Sequence, residues 1–475
     1  RFKCRCTAKG YAQIEFVHYY DTFASVAAGS YVRTVISFAH GYGMSKRHLD
    51  VKTAFLYPKL REELYMLMPE GIAAYEGELV RLLRSIYGTR QAAHNWQKEL
   101  VMHLLLFGME AAVDEDTVFV FHSEIGTIIC VTFVDDIIVC YTCDTVYNQF
   151  LAHMRTRFET NDEGDLEWYL GVRYSLSDNG DTLTASQASY IQKLGETYGG
   201  EKWNSIRTPM EEKFNITPQE LPTTKNSELE TEYRKLLGSI LFVSCWSRPD
   251  VSFAINRLAR FATCPTDKTW KALKRVLRYL VTTKDRGISW TRSPTSLGRT
   301  GHGKGELYAY VDAAYADCSI TRKSTMGYVL MLNAGAIAWR SKREPIVALS
   351  TAEAEYVAAC YAAQEVVSVR NLLLKLSNDR ASDPQNNPTA MYEDNRACIL
   401  LSGESVFRER SKHIDVRFHY LREKVRDRTL QLIACPTADM IADVLTKPLG
   451  FIKFLRFIQL MMNLTFDSVD DDKND

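Results

Sequence analysis

The sequence has no net charge: 58 Lys and Arg balance 58 Asp and Glu over 475 residues. That balance argues only weakly against a polyanionic partner, because local basic stripes matter more than the total for a phosphate backbone. No apolar run approaches the length that spans a bilayer, so no membrane partner is expected. No signal peptide opens the chain. It starts at Arg1-Phe2-Lys3, without Met and within what reads as a strand, and is expected to be a fragment or a processed piece. The 11 cysteines are odd in number and scattered, which excludes a complete disulfide framework and fits free thiols in a reducing, intracellular setting. Cys140-Tyr141-Thr142-Cys143 and Cys4-Arg5-Cys6 have no second Cys/His pair at zinc spacing, so neither completes a four-ligand site.

What is present is an ordinary globular composition, 46% hydrophobic and 24% charged, with length enough for two to four domains. Charge is concentrated locally. Residues 251–286 hold nine Lys/Arg against two acids, and 408–428 hold eight against four. The most informative stretch is Thr127 to Cys140. Two β-branched, apolar runs flank Asp135-Asp136 and read as a hairpin with two carboxylates at its tip. Adjacent carboxylates repel unless a cation lies between them, and hard divalent ions take carboxylate oxygens. An Asp-Asp turn without chemistry fits the hairpin alone equally well. A further acid, Asp50, ends the apolar segment His48-Leu49-Asp50-Val51. Three carboxylates on neighbouring strands can hold two metals for in-line phosphoryl transfer.

At this point the sequence resembles the reverse transcriptase of copia-type LTR retrotransposon Pol polyproteins. The resemblance rests on Ala8-Lys9-Gly10, Leu49-Asp50-Val51-Lys52-Thr53-Ala54-Phe55-Leu56, Ile86-Tyr87-Gly88, Gln91-Ala92, Phe133-Val134-Asp135-Asp136, Tyr169-Leu170-Gly171, Arg248-Pro249-Asp250 and Leu445-Thr446-Lys447-Pro448. It keeps its order over almost the whole chain. It implies an α/β (α+β) right-hand polymerase with an antiparallel palm sheet, followed by a mixed-sheet ribonuclease H-like domain. The implied boundaries are 1–175 for incomplete fingers and palm, 176–300 for thumb and connection, 306–450 for the ribonuclease H-like domain, and 451–475 for a tail whose acidic end is disordered.

The resemblance also assigns roles. Asp50, Asp135 and Asp136 would hold two Mg2+ ions, with Mn2+ as the alternative. Arg5 and Lys9 would contact the incoming dNTP, although an exposed basic strand explains them nearly as well. Phe55 would form a wall under the nucleotide's sugar, where residue type alone favours a core phenylalanine. Gly171 would lie at the primer terminus or simply occupy a hairpin turn. On the helix through Trp270, Leu273, Leu277 and Leu280 share one face. Lys271, Lys274, Arg275 and Arg278 lie elsewhere around it and are expected to contact template and primer.

A Gly-, Ser- and Thr-rich linker at 293–305 precedes a further acidic series. Asp312 ends a strand, Glu353 opens a helix, Asp394 follows a strand, and Asp443 lies on a late helix. That order resembles ribonuclease H, and these acids are the implied ligands of two more metal ions. Glu353 has a competing reading, as the acid of a Ser350-x-x-Glu353 capping box. Only the resemblance separates it from Glu355. Lys412, His413 and Arg417 open a basic segment that would touch the RNA–DNA hybrid. The implied activity is RNA- and DNA-templated DNA synthesis with removal of the RNA strand. RNA template, DNA primer and other parts of a parent polyprotein are the implied partners, and a cytoplasmic particle or the nucleus the setting. The alternative is a decayed or truncated fragment that binds nucleic acid without polymerase activity.

Overall fold

The computed structural model describes residues 6–69, 77–199, 204–222, 226–293, 301–378, 383–403 and 415–465. Side chains at 415–418 are outside that description, as are Arg5, Lys412, His413 and the acidic end of the chain. The fold is mixed α/β, and packing divides it into two compact units, Arg1–Ala28 with Gly43–Leu166 and Gly29–Tyr42 with Glu167–Asp475. Among the described residues no helix is long and apolar enough to cross a membrane.

The first unit is built on a six-stranded sheet in the order Glu110–Ala111, Val118–His122, Thr127–Phe133, Asp136–Tyr141, Ser45–Val51, Thr160–Asp165. Every neighbouring pair in it is antiparallel. The alternating residues Ile128, Cys130, Ile137, Val139, Leu49 and Val51 turn to one side. They pack with Trp96, Leu100 and Leu104 of helix Ala92–Leu106 and with Phe150 and Met154 of helix Asp144–Arg157. Trp96, Leu100 and Leu104 therefore form the buried helix face that their spacing predicts. Trp96 also donates its indole N–H to the Val134 carbonyl at 2.7 Å, which pins the tip of the aspartate hairpin to the helix.

The second unit holds a four-stranded antiparallel sheet, ordered Ile288–Thr291, Thr182–Ser186, Val172–Leu176, Trp168–Tyr169. It also holds a five-stranded mixed sheet, ordered Gly335–Arg343, Thr325–Leu332, Tyr308–Ala314, Thr389–Glu393, Leu430–Ala434. In the latter the Tyr308–Ala314 strand runs antiparallel to Thr325–Leu332 and parallel to Thr389–Glu393. Helix Thr351–Leu376 packs along its central strands.

The Gly- and Ser-rich stretch at 293–305 does not separate two packed bodies. The strand before it and the turn after it are joined: Thr291 N–H donates to the Asn333 carbonyl at 3.1 Å, and Trp290 Nε1 donates to the Ala336 carbonyl at 3.3 Å. Residues 294–300 lie outside the description. Helix Gly29–Gly41 belongs to this unit as well. Its Arg33 is only 5% exposed, stacks 4.0 Å over Trp339, and donates to the Ile337 carbonyl at 2.7 Å and the Cys245 carbonyl at 2.8 Å. Part of the expected tail, Phe451–Met462, is helix, and buries Phe454, Phe457, Ile458, Met461 and Met462. Those residues supply the apolar surface that the acidic end lacks.

The Arg248-Pro249-Asp250 motif forms a buried pair. Both side chains are fully buried, with Arg248 Nη2 2.7 Å from Asp250 Oδ2. Tyr279 donates its hydroxyl to the same carboxylate oxygen at 2.7 Å, and Arg248 also reaches the Thr283 carbonyl at 2.8 Å. Burial would push the Asp250 carboxyl up, but Arg248 and Tyr279 outweigh it and hold the carboxyl below its ordinary value. A depressed acid contributes stability that is present at neutral pH and lost as pH falls through the folded-state value. Asp250→Ala strands a buried guanidinium and is expected to cost about 3–5 kcal/mol. Denaturant titration at pH 7 measures that loss, and the gap between wild type and variant should narrow in acid.

Candidate active sites: two carboxylate clusters

The hairpin brings its acids together with Asp50. Strands Ser45–Val51 and Asp136–Tyr141 are antiparallel neighbours, and their register places Asp50 directly opposite Asp136. Strands Thr127–Phe133 and Asp136–Tyr141 pair Phe133 with Asp136, so the turn consists of Val134 and Asp135. Val134 adopts φ +57°, a left-handed conformation that is costly for a β-branched residue. The Val51 N–H donates to the Asp135 carbonyl at 2.9 Å and holds the tip against the Asp50 strand. All three carboxylates remain half-buried. Burial first, then the charges of Asp135 and Asp136, push the Asp50 carboxyl up. Clustered negative charge of this kind suits a hard divalent cation. Sequence reasoning missed His48, whose Nε2 lies 2.8 Å from Asp136 Oδ1. Its signal was present: His48 lies two residues before Asp50 on a strand, hence on the same face.

The segments assigned to nucleotide contact also meet. The Ala8 N–H donates to the Tyr87 carbonyl at 2.8 Å. A Cβ on Gly10 would lie 1.9 Å from the Gly88 carbonyl oxygen, so only glycine allows this approach. Phe55 packs edge-on against Tyr87, with ring centroids 4.9 Å apart, and stays half-buried at the margin of the core. Lys9 is exposed beside them. Tyr87 thus connects the two candidate nucleotide contacts.

The second cluster differs from the sequence expectation in one ligand. Asp312, Glu355 and Asp394 bring carboxylate oxygens within 4.8 Å of one another. Glu353 does not join them: it accepts the Leu349 N–H at 2.8 Å, while its own N–H donates to Ser350 Oγ at 3.2 Å. Glu353 is therefore the capping acid of helix Thr351–Leu376. Glu355, two residues on, turns about 200° around the helix and faces the sheet. Buried Glu393 stands beside the cluster and was not anticipated. Burial, then Glu393, Asp312 and Asp394, push the Glu355 carboxyl far up. Among the described residues, Glu355 Oε2 and Glu393 Oε2 are buried with no hydrogen-bond donor. Orphaned carboxylate oxygens beside two further acids fit a divalent cation. Asp443 lies on a 3₁₀ turn, Ile441–Leu445, instead of an α-helix. It is buried beside Asp312, which burial and Asp443 push up to about 6 against the opposing pull of Lys447.

Residues 1–212 match the family described as reverse transcriptase (RNA-dependent DNA polymerase). The chain is 32% identical over 461 residues to a retrovirus-related Pol polyprotein from transposon RE2 of Arabidopsis thaliana, covering 96% of this chain and 30% of that protein. The chain belongs with the copia-type retrotransposon Pol polyproteins. It is also 31% identical over 461 residues to the Pol polyprotein from transposon TNT 1-94 of Nicotiana tabacum, again over 96% of this chain and 33% of that protein. The chain thus spans about a third of the length of these relatives. A structure of the foamy viral protease-reverse transcriptase dRH in complex with ds DNA aligns at 11% identity with TM-score 0.45, over 83% of this chain and 57% of that one.

Other candidate contacts are partly engaged. Gly171 follows Leu170 in a two-residue hairpin turn with φ +49° and +77°, a geometry that favours glycine whatever binds nearby. On helix Asp267–Thr282, Leu273, Leu277 and Leu280 are buried. Arg278 donates to the Asn204 carbonyl at 2.6 Å, Arg275 pairs with Glu211 at 3.3 Å, and Lys274 lies 5.2 Å from the Trp270 ring. Lys271 is exposed. The basic face is thus half committed to its own chain. Arg417 lies on helix Asp415–Arg426.

The ligand exchange is directly measurable. Glu355→Gln is expected to weaken Mn2+ binding at this cluster by about 100-fold or more, the upper range for loss of even a supporting contact. The metal-free melting temperature should change little, because burial and the neighbouring acids already hold Glu355 in its protonated form. Glu353→Ala should leave Mn2+ affinity within about threefold while costing about 0.5–1.5 kcal/mol for the lost cap hydrogen bond. Paired calorimetric titrations and melting curves separate the two glutamates.

Proposed function

We propose that this chain carries out DNA synthesis on RNA and DNA templates at Asp50, Asp135 and Asp136, and cleaves the RNA strand of a hybrid at Asp312, Glu355, Asp394 and Asp443. The observation that carries the reading is the register that sets Asp50 opposite Asp136 with Asp135 at the adjoining turn. A phosphoryl-transfer site needs carboxylates fixed on rigid strands and open on one side, and these are half-buried at the ends of two neighbouring strands. Bound Mg2+ or Mn2+ would supply charge neutralisation and Lewis acidity at each cluster.

The protein's own groups orient the reaction. The indole of Trp96 and the Val51 N–H fix the hairpin tip, so Asp135 and Asp136 cannot drift apart. His48 holds one Asp136 oxygen and leaves the other for a ligand. Phe55, braced by Tyr87, presents a rigid ring at the exit of the Asp50 strand. There it would meet the sugar of a dNTP and refuse a 2′-hydroxyl by collision. Lys9 would meet the triphosphate, and Gly171 with Lys271 the primer and template. The RNA strand, the primer and the remainder of a parent polyprotein are the partners that this reading requires.

Asp135→Asn is expected to lower primer extension by about a thousandfold or more, since metal-held charge is worth several kcal/mol in the transition state. Hybrid cleavage should persist, because its acids lie in the other compact unit. Extension near the wild-type rate would remove Asp135 from the site. Phe55→Val should raise the ratio of ribonucleotide to deoxynucleotide incorporation. A purely packing role would instead leave that ratio unchanged and lower stability by about 1–4 kcal/mol. Single-nucleotide kinetics with a melting curve distinguishes the two.

A further inference from the structure

The three acids Asp312, Glu355 and Asp394 form only part of the C-terminal cluster. On the other side of Asp312 stands Asp443, and the side chains of both are 1% exposed. Between them lies Lys447, its Nζ 3.2 Å from Asp312 Oδ1 and 2.7 Å from Asp443 Oδ1. Thr446 donates its hydroxyl to Asp312 Oδ2, and Lys453 Nζ binds Asp443 Oδ2. All four oxygens of this pair are thus satisfied by residues 446–453 of the same chain. The Glu355 side is different: there a buried carboxylate oxygen has no donor among the described residues.

We propose that Lys447 is an internal cation at the second ion position. In the resting chain a divalent ion enters at Asp312, Glu355 and Asp394, and another enters between Asp312 and Asp443 only by displacing the ammonium. The inference rests on the metal-dependent hydrolysis read above and deepens it. Three features make displacement feasible. The Lys447 side chain is 37% exposed, whereas the acids it joins are closed off. Its flexible four-carbon stem lets a point charge swing outward. Its backbone stays anchored meanwhile, through the Lys447 N–H donated to the Asp443 carbonyl at 3.0 Å. Lys453 remains on Asp443 Oδ2, so Oδ1 is the oxygen surrendered to the ion. An ammonium there prevents two buried carboxylates from facing each other unpaired when no metal is bound.

The test is Mn2+ stoichiometry and melting temperature of the full chain, neither of which requires turnover. At a Mn2+ concentration that fills only the Asp312, Glu355 and Asp394 position of the wild type, Lys447→Met should bind an additional Mn2+ per chain, Lys447→Arg should bind as wild type does, and Lys447→Met with Asp443→Asn should lose the extra ion. Lys447→Met should melt lower than wild type without metal, and saturating Mn2+ should close that gap. Unchanged stoichiometry in Lys447→Met, or a melting deficit that Mn2+ does not reduce, overturns the proposal and leaves Lys447 a structural ion pair. Glu355→Gln distinguishes the underlying reading. If it removes no Mn2+ from the wild-type count, the metal site itself fails and the lysine proposal falls with it. If it removes Mn2+ while Lys447→Met gains none, only the lysine proposal falls.

Discussion

Repulsion between carboxylates shapes both units of this chain. At the hairpin, strand register forces Asp50, Asp135 and Asp136 into one neighbourhood, and the strain of Val134 is tolerated to keep them there. In the second unit the acids are buried deeper, so the cost of their charge is larger and the chain answers it locally. Lys447, Lys453 and Thr446 cover Asp312 and Asp443, while Glu355 and Glu393 are pushed toward their protonated forms by burial. A shallow cluster at the ends of strands is eased by solvent. A deep one needs either a built-in cation or a proton, because an unpaired ion in a low-dielectric interior is far more costly.

The supports around these acids are correspondingly rigid. Trp96 joins the aspartate hairpin to the main helix of its unit through one indole hydrogen bond. Arg248 and Asp250 do the same for the helices of the second unit, with Tyr279 as a third partner. Such buried pairs add little net stability compared with apolar packing, yet they fix how neighbouring segments enter one another's core.

Much of this was legible in the sequence because it followed short periods. The Asp135-Asp136 hairpin stood out as two β-branched runs around a polar break, and the Trp96, Leu100, Leu104 face as a helical stripe. Glu355 was not separable from Glu353 by spacing. Both lie near the start of one helix, and choosing between them requires knowing which way the helix faces. Lys447 was visible only as a motif residue, since its partner Asp312 lies 135 positions away in the chain. The helix at Phe451–Met462 was obscured by the acidic stretch after it, although its apolar residues recur at Phe454, Phe457, Ile458 and Met461. The compact units were hidden for a related reason. Composition marks a linker at 293–305, but hydrogen bonds from Thr291 and Trp290 hold the two sides together.

Helix Gly29–Gly41 has a consequence for biosynthesis. Ten of its 13 residues are buried, and Arg33 caps the carbonyl of Ile337, 304 positions later. During translation this helix leaves the ribosome long before the strand that will cover it exists. At about 5–20 residues per second it waits on the order of half a minute, with its apolar face unpartnered. Nascent chains of intermediate length therefore carry an exposed sticky segment, and chain release before the Gly335–Arg343 strand emerges leaves that segment permanently open. Contacts of such long sequence separation also slow folding after release. The order of synthesis thus makes the early helix a natural client for a chaperone.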